Sequence, residues 1–210
     1  MSSSATMLQP RGFLEKARGC IGFGILAPFI LLTIFSRPPL HDGSWSEVLL
    51  DILGWMLFVA GAGVRFWATL YIGGRKGGTM MMEGPYSICR NPLYMGTFLL
   101  LLAMGCFLEN LTFFLGAAIS AAAYLGWVVR SEEARLSHRF GQTYQDYCKR
   151  VPRFFPRFSS FQTSNTITVD ARALIREART AAIWVWLPLV CEVSTRLRAS
   201  EDIFWIFGSP

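Results

Sequence analysis

Long apolar runs separated by short polar breaks dominate the chain. Residues 1–19 are polar, with Arg11, Lys16 and Arg18, and an apolar run from Cys20 to Phe35 follows. That run is somewhat shorter than the roughly 20 residues of a bilayer crossing. Ser36-Arg37-Pro38-Pro39 follows it instead of a small-x-small cleavage site, so it reads as a retained first span, not a signal peptide. A second span is expected over residues 48–72, with Asp51 near one end and Arg65 about two turns from the other, where it can snorkel or face a bundle. The glycine-rich stretch 73–82 breaks it. A third span runs from Pro92 to about Leu108, Glu109-Asn110 makes a turn, and a fourth runs from Leu111 to Val129. Gly116, Ala117, Ser120 and Ala121 allow close helix approach, so spans three and four should form a tight antiparallel hairpin. Residues 131–149 read as one interfacial helix, ended by the prolines of Val151-Pro152-Arg153-Phe154-Phe155-Pro156-Arg157-Phe158. Residues 159–169 read as a Ser/Thr-rich linker. The apolar segment 180–191 is too short for a confident span and reads equally as interfacial or re-entrant. Ile203-Phe204-Trp205-Ile206-Phe207 is an apolar tail that should touch membrane or a partner.

Composition sharpens this picture. The 210 residues are 52% hydrophobic and 16% charged, against about a quarter charged in a soluble domain, and the mean hydropathy is +0.37. The expected fold is therefore all-α: an integral membrane helical bundle of four to five transmembrane helices with cytosolic interfacial helices. The net charge of +6 sits at the ends of apolar runs, without a basic stripe interleaved with aromatics, so nucleic acid is not an expected partner. Alternate loops are basic, which puts the N-terminus and the loops 73–91 and after Val129 in the cytoplasm. Five scattered cysteines without a CxxC pair, and only His41 and His138, argue against a metal site.

Two polar islands carry the candidate chemistry. The first is Glu83-Gly84-Pro85-Tyr86-Ser87-Ile88-Cys89-Arg90-Asn91-Pro92-Leu93-Tyr94-Met95-Gly96. Proline suits the first helical position and asparagine the N-cap, so Asn91-Pro92 should start the third helix sharply. The free N–H groups there make an anion site, to which Arg90 adds a charge; a plain helix start is the competing reading. The second island is Arg130-Ser131-Glu132-Glu133-Ala134-Arg135-Leu136. Two adjacent acids at a lipid boundary need partners, either a cationic ligand or local pairing with Arg135 or Arg139. Residues 73–78 lack the order of a P-loop and read as a flexible exit from the second span. Met80–Met82 suit an adaptable apolar pocket or plain membrane contact. His138 reads as an interfacial side chain rather than a base.

Gly84-Pro85-Tyr86, Arg90-Asn91-Pro92-Leu93-Tyr94-Met95-Gly96, Glu132-Glu133, Leu136, Phe140-Gly141, Tyr144, Tyr147 and Val151-Pro152-Arg153 together resemble the isoprenylcysteine carboxyl methyltransferase and phospholipid methyltransferase superfamily. The resemblance covers roughly residues 48–158, leaving 1–47 as an N-terminal segment with the first span and 159–210 as a linker with C-terminal helices. It implies an S-adenosylmethionine-dependent methyltransferase acting on a lipid-soluble acceptor: a carboxylate, an amine or a thiol. It also implies cofactor-binding roles for Gly78, Thr79, Met80, Met81, Tyr86, Asn91, Pro92, Leu93, Tyr94 and Glu132, with Arg90 and Glu133 as candidate catalytic residues. The family often has histidine at the place of Asn91. The eukaryotic prenylcysteine enzymes have a substrate-binding arginine near the end of the fourth span, where this chain has Trp127-Val128-Val129 with Arg130 nearby. Methyl transfer from a sulfonium requires positioning and desolvation rather than a nucleophilic protein residue. The rivals are an NADPH-dependent membrane reductase of the sterol reductase type and a non-enzymatic membrane scaffold.

Overall fold

The computed structural model describes residues 24–33, 35, 45–73 and 79–199. The polar N-terminus, the first residues of the first apolar run, most of the 36–47 loop, residues 74–78 and the apolar tail lie outside them. Regular structure among the described residues is helical throughout. Helix α1 is Gly24–Thr33 and α2 is Trp45–Gly73. A short α3, Pro85–Ile88, precedes α4, Pro92–Leu108. Helix α5, Leu111–Ala123, passes through π-helical turns at Tyr124–Val129 into α6, Arg130–Phe140. Helix α7 is Gln142–Arg150 and α8 is Ala171–Ala199.

The bundle is organised on α4, which packs most extensively along α2. Glycines let the two backbones touch. A Cβ on Gly61 would stand 2.8 Å from the Gly96 carbonyl, and one on Gly96 would stand 2.6 Å from Arg65 Cγ. Below this crossing Phe58, Leu100, Ala103 and Phe107 form the core with Phe113 and Ala117 of α5. The turn between α4 and α5 has Glu109 in the left-handed region (φ 48°), and Asn110 caps α5 by accepting from the Phe113 N–H at 3.2 Å. Large apolar side chains point outward, Met56, Val59 and Leu115 being 65%, 66% and 55% exposed, as they would toward lipid.

Among the described residues, α2 and the continuous Leu111–Phe140 rod are long and apolar enough to cross a membrane; α1 and α4 are shorter apolar helices. Two expectations change. Residues 131–149 form two helices, because Gly141 adopts φ +51° and turns the chain between α6 and α7. The fourth helix does not stop at Val129, since the π-helical turns keep it hydrogen-bonded into α6.

The segment 180–191 is the middle of the 29-residue α8, which packs on α2 and α4. Asp170 starts it by accepting from the Arg172 N–H at 2.9 Å. Near this end Glu177 receives Arg65 Nε at 2.8 Å and Nη2 at 3.2 Å, while Arg65 Nη1 donates to Thr97 Oγ1 at 2.6 Å. Arg65 therefore faces the bundle. Farther along α8, Cys191 joins the core and Thr195 Oγ1 donates to the Phe107 carbonyl at 3.2 Å. Residues 159–164, the first part of the stretch expected as linker, form with Arg157 and Phe158 a strap along the first polar island. Gly84 N donates to Gln162 O at 2.7 Å, Gln162 N to Ser87 Oγ at 3.0 Å, and Tyr71 Oη meets Thr163 Oγ1 at 2.8 Å.

Removing one member of the Arg65–Glu177 pair leaves the other charge among apolar helices. Arg65→Met or Glu177→Met is expected to destabilise the detergent-purified protein by about 3 kcal/mol. The double substitution should restore most of that loss, as read by thermal unfolding of all three variants.

Candidate active site

The two polar islands meet. The C-terminal end of α2, the segment 79–81, α3, the start of α4, α6 and α7 enclose a cavity of about 380 Å³, within the range of small-molecule sites. Ile72, Thr79, Met80, Met81, Tyr86, Arg90, Asn91, Glu132, Glu133, Leu136, Arg139, Phe140, Tyr144 and Tyr147 line it.

Eight of the residues singled out from the sequence thus line one cavity: Thr79, Met80, Met81, Tyr86, Arg90, Asn91, Glu132 and Glu133. Pro92, Leu93 and Tyr94 stand behind it. Pro92 is buried at the start of α4. Leu93 packs on Ala68, Tyr71 and Tyr86. Tyr94 Oη donates to Glu132 Oε2 at 2.6 Å, and its ring meets that of Tyr124 edge-on at 5.3 Å. Gly78 lies outside the described residues.

Glu133 is the junction of the two islands. Its Oε1 accepts from Arg153 Nε at 3.0 Å and lies 3.5 Å from both Arg90 Nη1 and Asn91 Nδ2, while Arg153 Nη2 closes on Oε2. The fork-on-carboxylate pairing with Arg153 is the strong form of an ion pair. Local pairing of the acids along α6 is confined to Glu132, whose carboxylate is 4.0 Å from Arg135. Asn91 occupies the cap position of α4, but its side chain makes no capping bond. It turns instead to Glu133 and to the Arg153 carbonyl at 3.3 Å. Arg90 N donates to Pro152 O at 2.9 Å, and Tyr147 Oη donates to Tyr86 O at 2.7 Å, so α7 and the turn after it latch the island in place.

Arg153 had no site role in the sequence reading, because its acid lies 20 positions away and on another helix. Its position directly after Pro152 was the available signal. Leu136, Phe140, Tyr144 and Tyr147 entered only as parts of a resemblance, and here they form one side of the cavity.

Burial pushes the Tyr86 phenol up, with Cys89 and Tyr94 nearby adding to it. Burial likewise raises Tyr147, with Cys89 contributing, and Tyr144, with Glu133 contributing. All three are therefore neutral donors under ordinary conditions. Arg153 is held charged more firmly still by its bond to Glu133, and burial raises the Cys89 thiol. Tyr86 Oη and Arg90 Nε are buried without a partner, and such groups call for an acceptor that a ligand can supply.

The family model described as Phospholipid methyltransferase matches residues 49–143. The chain is 35% identical over 169 residues to the cobalt-zinc-cadmium resistance protein CzcN of Cupriavidus metallidurans, covering 80% of this chain and 77% of that one. It is 32% identical over 167 residues to the nickel-cobalt-cadmium resistance protein NccN of Alcaligenes xylosoxydans xylosoxydans, covering 79% and 78%. No solved structure matches.

The raised phenols set an alkaline limit. Tyrosines of the unfolded chain ionise near pH 10 while Tyr86, Tyr144 and Tyr147 hold their protons. The unfolded state then binds fewer protons, and stability falls as pH rises. Thermal unfolding should be insensitive to these groups below about pH 10 and decline above it, with a shallower decline in Tyr147→Phe.

Proposed function

Because this chain belongs to the phospholipid methyltransferase family, within the isoprenylcysteine carboxyl methyltransferase superfamily, we propose that it is an S-adenosylmethionine-dependent methyltransferase acting at a membrane surface on a lipophilic acceptor. The observation that carries this reading is the convergence of both polar islands on one cavity. Its chemistry fits the cofactor: an acid for an ammonium or ribose hydroxyls, apolar walls for an adenine, and orphaned donors at Tyr86 and Arg90 for a carboxylate.

In this proposal Thr79, Met80, Met81, Tyr86 and Asn91 bind the cofactor, together with Gly78 and with Pro92, Leu93 and Tyr94 from behind the wall. Tyr94 orients Glu132 through their hydrogen bond. Arg90 and Glu133 are the proposed catalytic pair, and their joined charges set the field along the wall. S-adenosylmethionine, when bound, supplies a methyl group on a positively charged sulfur. The chain's own residues orient the reactants and exclude water; the reaction asks for little else from a protein. The names of two relatives suggest metal resistance as the physiological setting.

We take α1, α2, α4, the α5–α6 rod and α8 as five spans, with the N-terminus and cavity in the cytoplasm. Helix α8 contacts the bundle at Arg65 through Glu177 and at Phe107 through Thr195, a length of about 27 Å along a helix. Its C-terminal end then lies on the face opposite the cavity. A reporter fused after Leu197 should be active on the non-cytoplasmic side, and a cytoplasmic signal would sink the five-span arrangement.

Calorimetric titration of S-adenosylmethionine and of NADPH into detergent-purified protein tests the cofactor. S-adenosylmethionine should bind, and Glu132→Gln should weaken it by about tenfold, the effect of losing one charged hydrogen-bonded contact. Glu132→Ala with Glu133→Ala should abolish it. Binding of NADPH instead would overturn the reading in favour of a reductase, and silence toward both would favour a scaffold.

A further inference from the structure

The turn after α7 and the strap that continues it have two faces. One face is bonded to the first polar island. Cys89 Sγ donates to Phe154 O at 3.3 Å, Arg157 N to Ile88 O at 3.0 Å and Ser160 Oγ to Ser87 O at 2.8 Å. These stand beside the Gln162 contacts with Gly84 and Ser87. The other face is bare. Phe155 and Phe158 are 89% and 73% exposed. Arg157 between them is exposed too, and its guanidinium has no acidic partner among the described residues. Aromatic rings and a cation therefore share the outer side of a segment whose inner side holds the residues around Tyr86.

Depth decides what this face meets. Helix α2 has 29 residues, about 43 Å of helix, so it overruns a hydrocarbon core of about 30 Å at both ends. Trp67 lies about 9 Å below the Gly73 end, and its ring meets that of Phe161 at 6.1 Å. Phe154 turns inward to Phe98 of α4 at 6.3 Å. These two ring contacts tie both ends of the segment to apolar helices near the edge of the hydrocarbon layer, where aromatic side chains collect. Phe155 and Phe158 thus leave the protein at headgroup depth. The charge that follows has one sign. Arg172 and Arg176 are exposed on one face of α8 without acidic partners among the described residues. The acids of that stretch are turned elsewhere, Glu177 to Arg65 and Asp170 to the start of the helix. Long basic side chains at this depth reach the phosphate layer, and an anionic surface gains about fivefold in affinity from each.

We propose that residues 154–161 are a docking surface for anionic phospholipid headgroups of the leaflet on the cavity side. Phe155 and Phe158 enter the headgroup layer, Arg157 takes a lipid phosphate, and Arg172 and Arg176 extend the contact along α8. Docking holds the strap against the segment 84–89, because the bonds to Gly84, Ser87 and Ile88 come from the opposite face of the same short stretch. The lipid charge of the membrane then governs how firmly the segment that carries Tyr86 and leads into Arg90 is held, since the opening of such a segment is a local equilibrium. The inference does not depend on which cofactor or acceptor the cavity takes.

The test places the full-length protein in nanodiscs of phosphatidylcholine alone and of an equal mixture of phosphatidylcholine and phosphatidylglycerol. Both leaflets of a disc have the same composition, so the result does not depend on orientation. Amide hydrogen exchange is followed in peptides covering 84–90 and 154–164, with a peptide from 100–108 in the middle of the bundle as control. The amides that cross between strap and island, those of Gly84, Arg157 and Gln162, should exchange about fivefold or more slowly in the anionic discs, and added salt should remove most of the difference. The 100–108 peptide should exchange alike in both. Arg157→Gln should reduce the difference, and Phe155→Ser with Phe158→Ser should abolish it, the control peptide showing that these variants remain folded. Equal exchange in the two kinds of disc, a difference indifferent to salt, or one that Arg157→Gln leaves intact would each overturn the proposal. An equal slowing of the 100–108 peptide would overturn it by showing a general effect of the bilayer on the bundle. Protection that follows the number of copies per disc rather than the lipid charge would overturn it by assigning the face to a second copy of this chain.

Discussion

One carboxylate holds the two polar halves of this protein together. Glu133 rises from α6, and the groups that meet it come from the start of α4 and from the turn after α7. With 14% of its side chain exposed, an unpaired negative charge there would be costly. Arg153 meets that demand with a forked contact, and Arg90 and Asn91 add to it. Because Arg90 and Asn91 immediately precede Pro92, the same contact sets where α4 begins relative to α6. The cavity between them is a consequence of that spacing, with Tyr86 held at its back by Tyr147.

A second charge pair does for the apolar part what Glu133 does for the polar part. Arg65 reaches Thr97 on α4 and Glu177 on α8, so three helices share one charged contact inside the bundle. One to two turns along α2, Ala68 and Tyr71 pack with Tyr86, and Tyr71 also meets Thr163 of the strap. Helix α8 and the strap lie beyond the residues matched by the family model, yet the strap bonds to Gly84, Ser87 and Ile88 and α8 packs on α2 and α4. The C-terminal third is therefore part of the scaffold of the cavity, not an appendage.

Much of this was legible in the chain before any coordinates. The apolar runs gave α2 and α4 nearly to the residue and the start of α5, because an apolar stretch of that length has few other ways to satisfy its backbone. Asn91-Pro92 marked the start of α4, and Glu109-Asn110 marked the turn, because proline and a polar break constrain backbone conformation locally. Other features were misread where a local signal had two meanings. Asn91 has the residue type of a helix cap, but its amide is drawn to Glu133. The apolar segment 180–191 looked too short on its apolar length alone, whereas the helix runs on to Ala171, past a Glu177 whose partner is Arg65, 112 positions away. The Ser/Thr-rich stretch 159–169 has the composition of a linker, and its backbone pairing with Gly84 and Ser87 has no sequence period to announce it.

The sequence by itself determined the class of molecule, the apolar helices, the two polar islands and the motifs that mark the family, since all of these follow from hydropathy, local backbone preference and residue order. Only the tertiary structure decided which acid is committed and which cation is not. Glu132 and Glu133 are adjacent in the chain, yet one is held by Tyr94 and the other by Arg153 and Arg90. Arg139 resembles its neighbours in sequence, but it lines the cavity without an acidic partner among the described residues. Charge pairing depends on distance in space, and a linear sequence carries that distance only once the helices have packed.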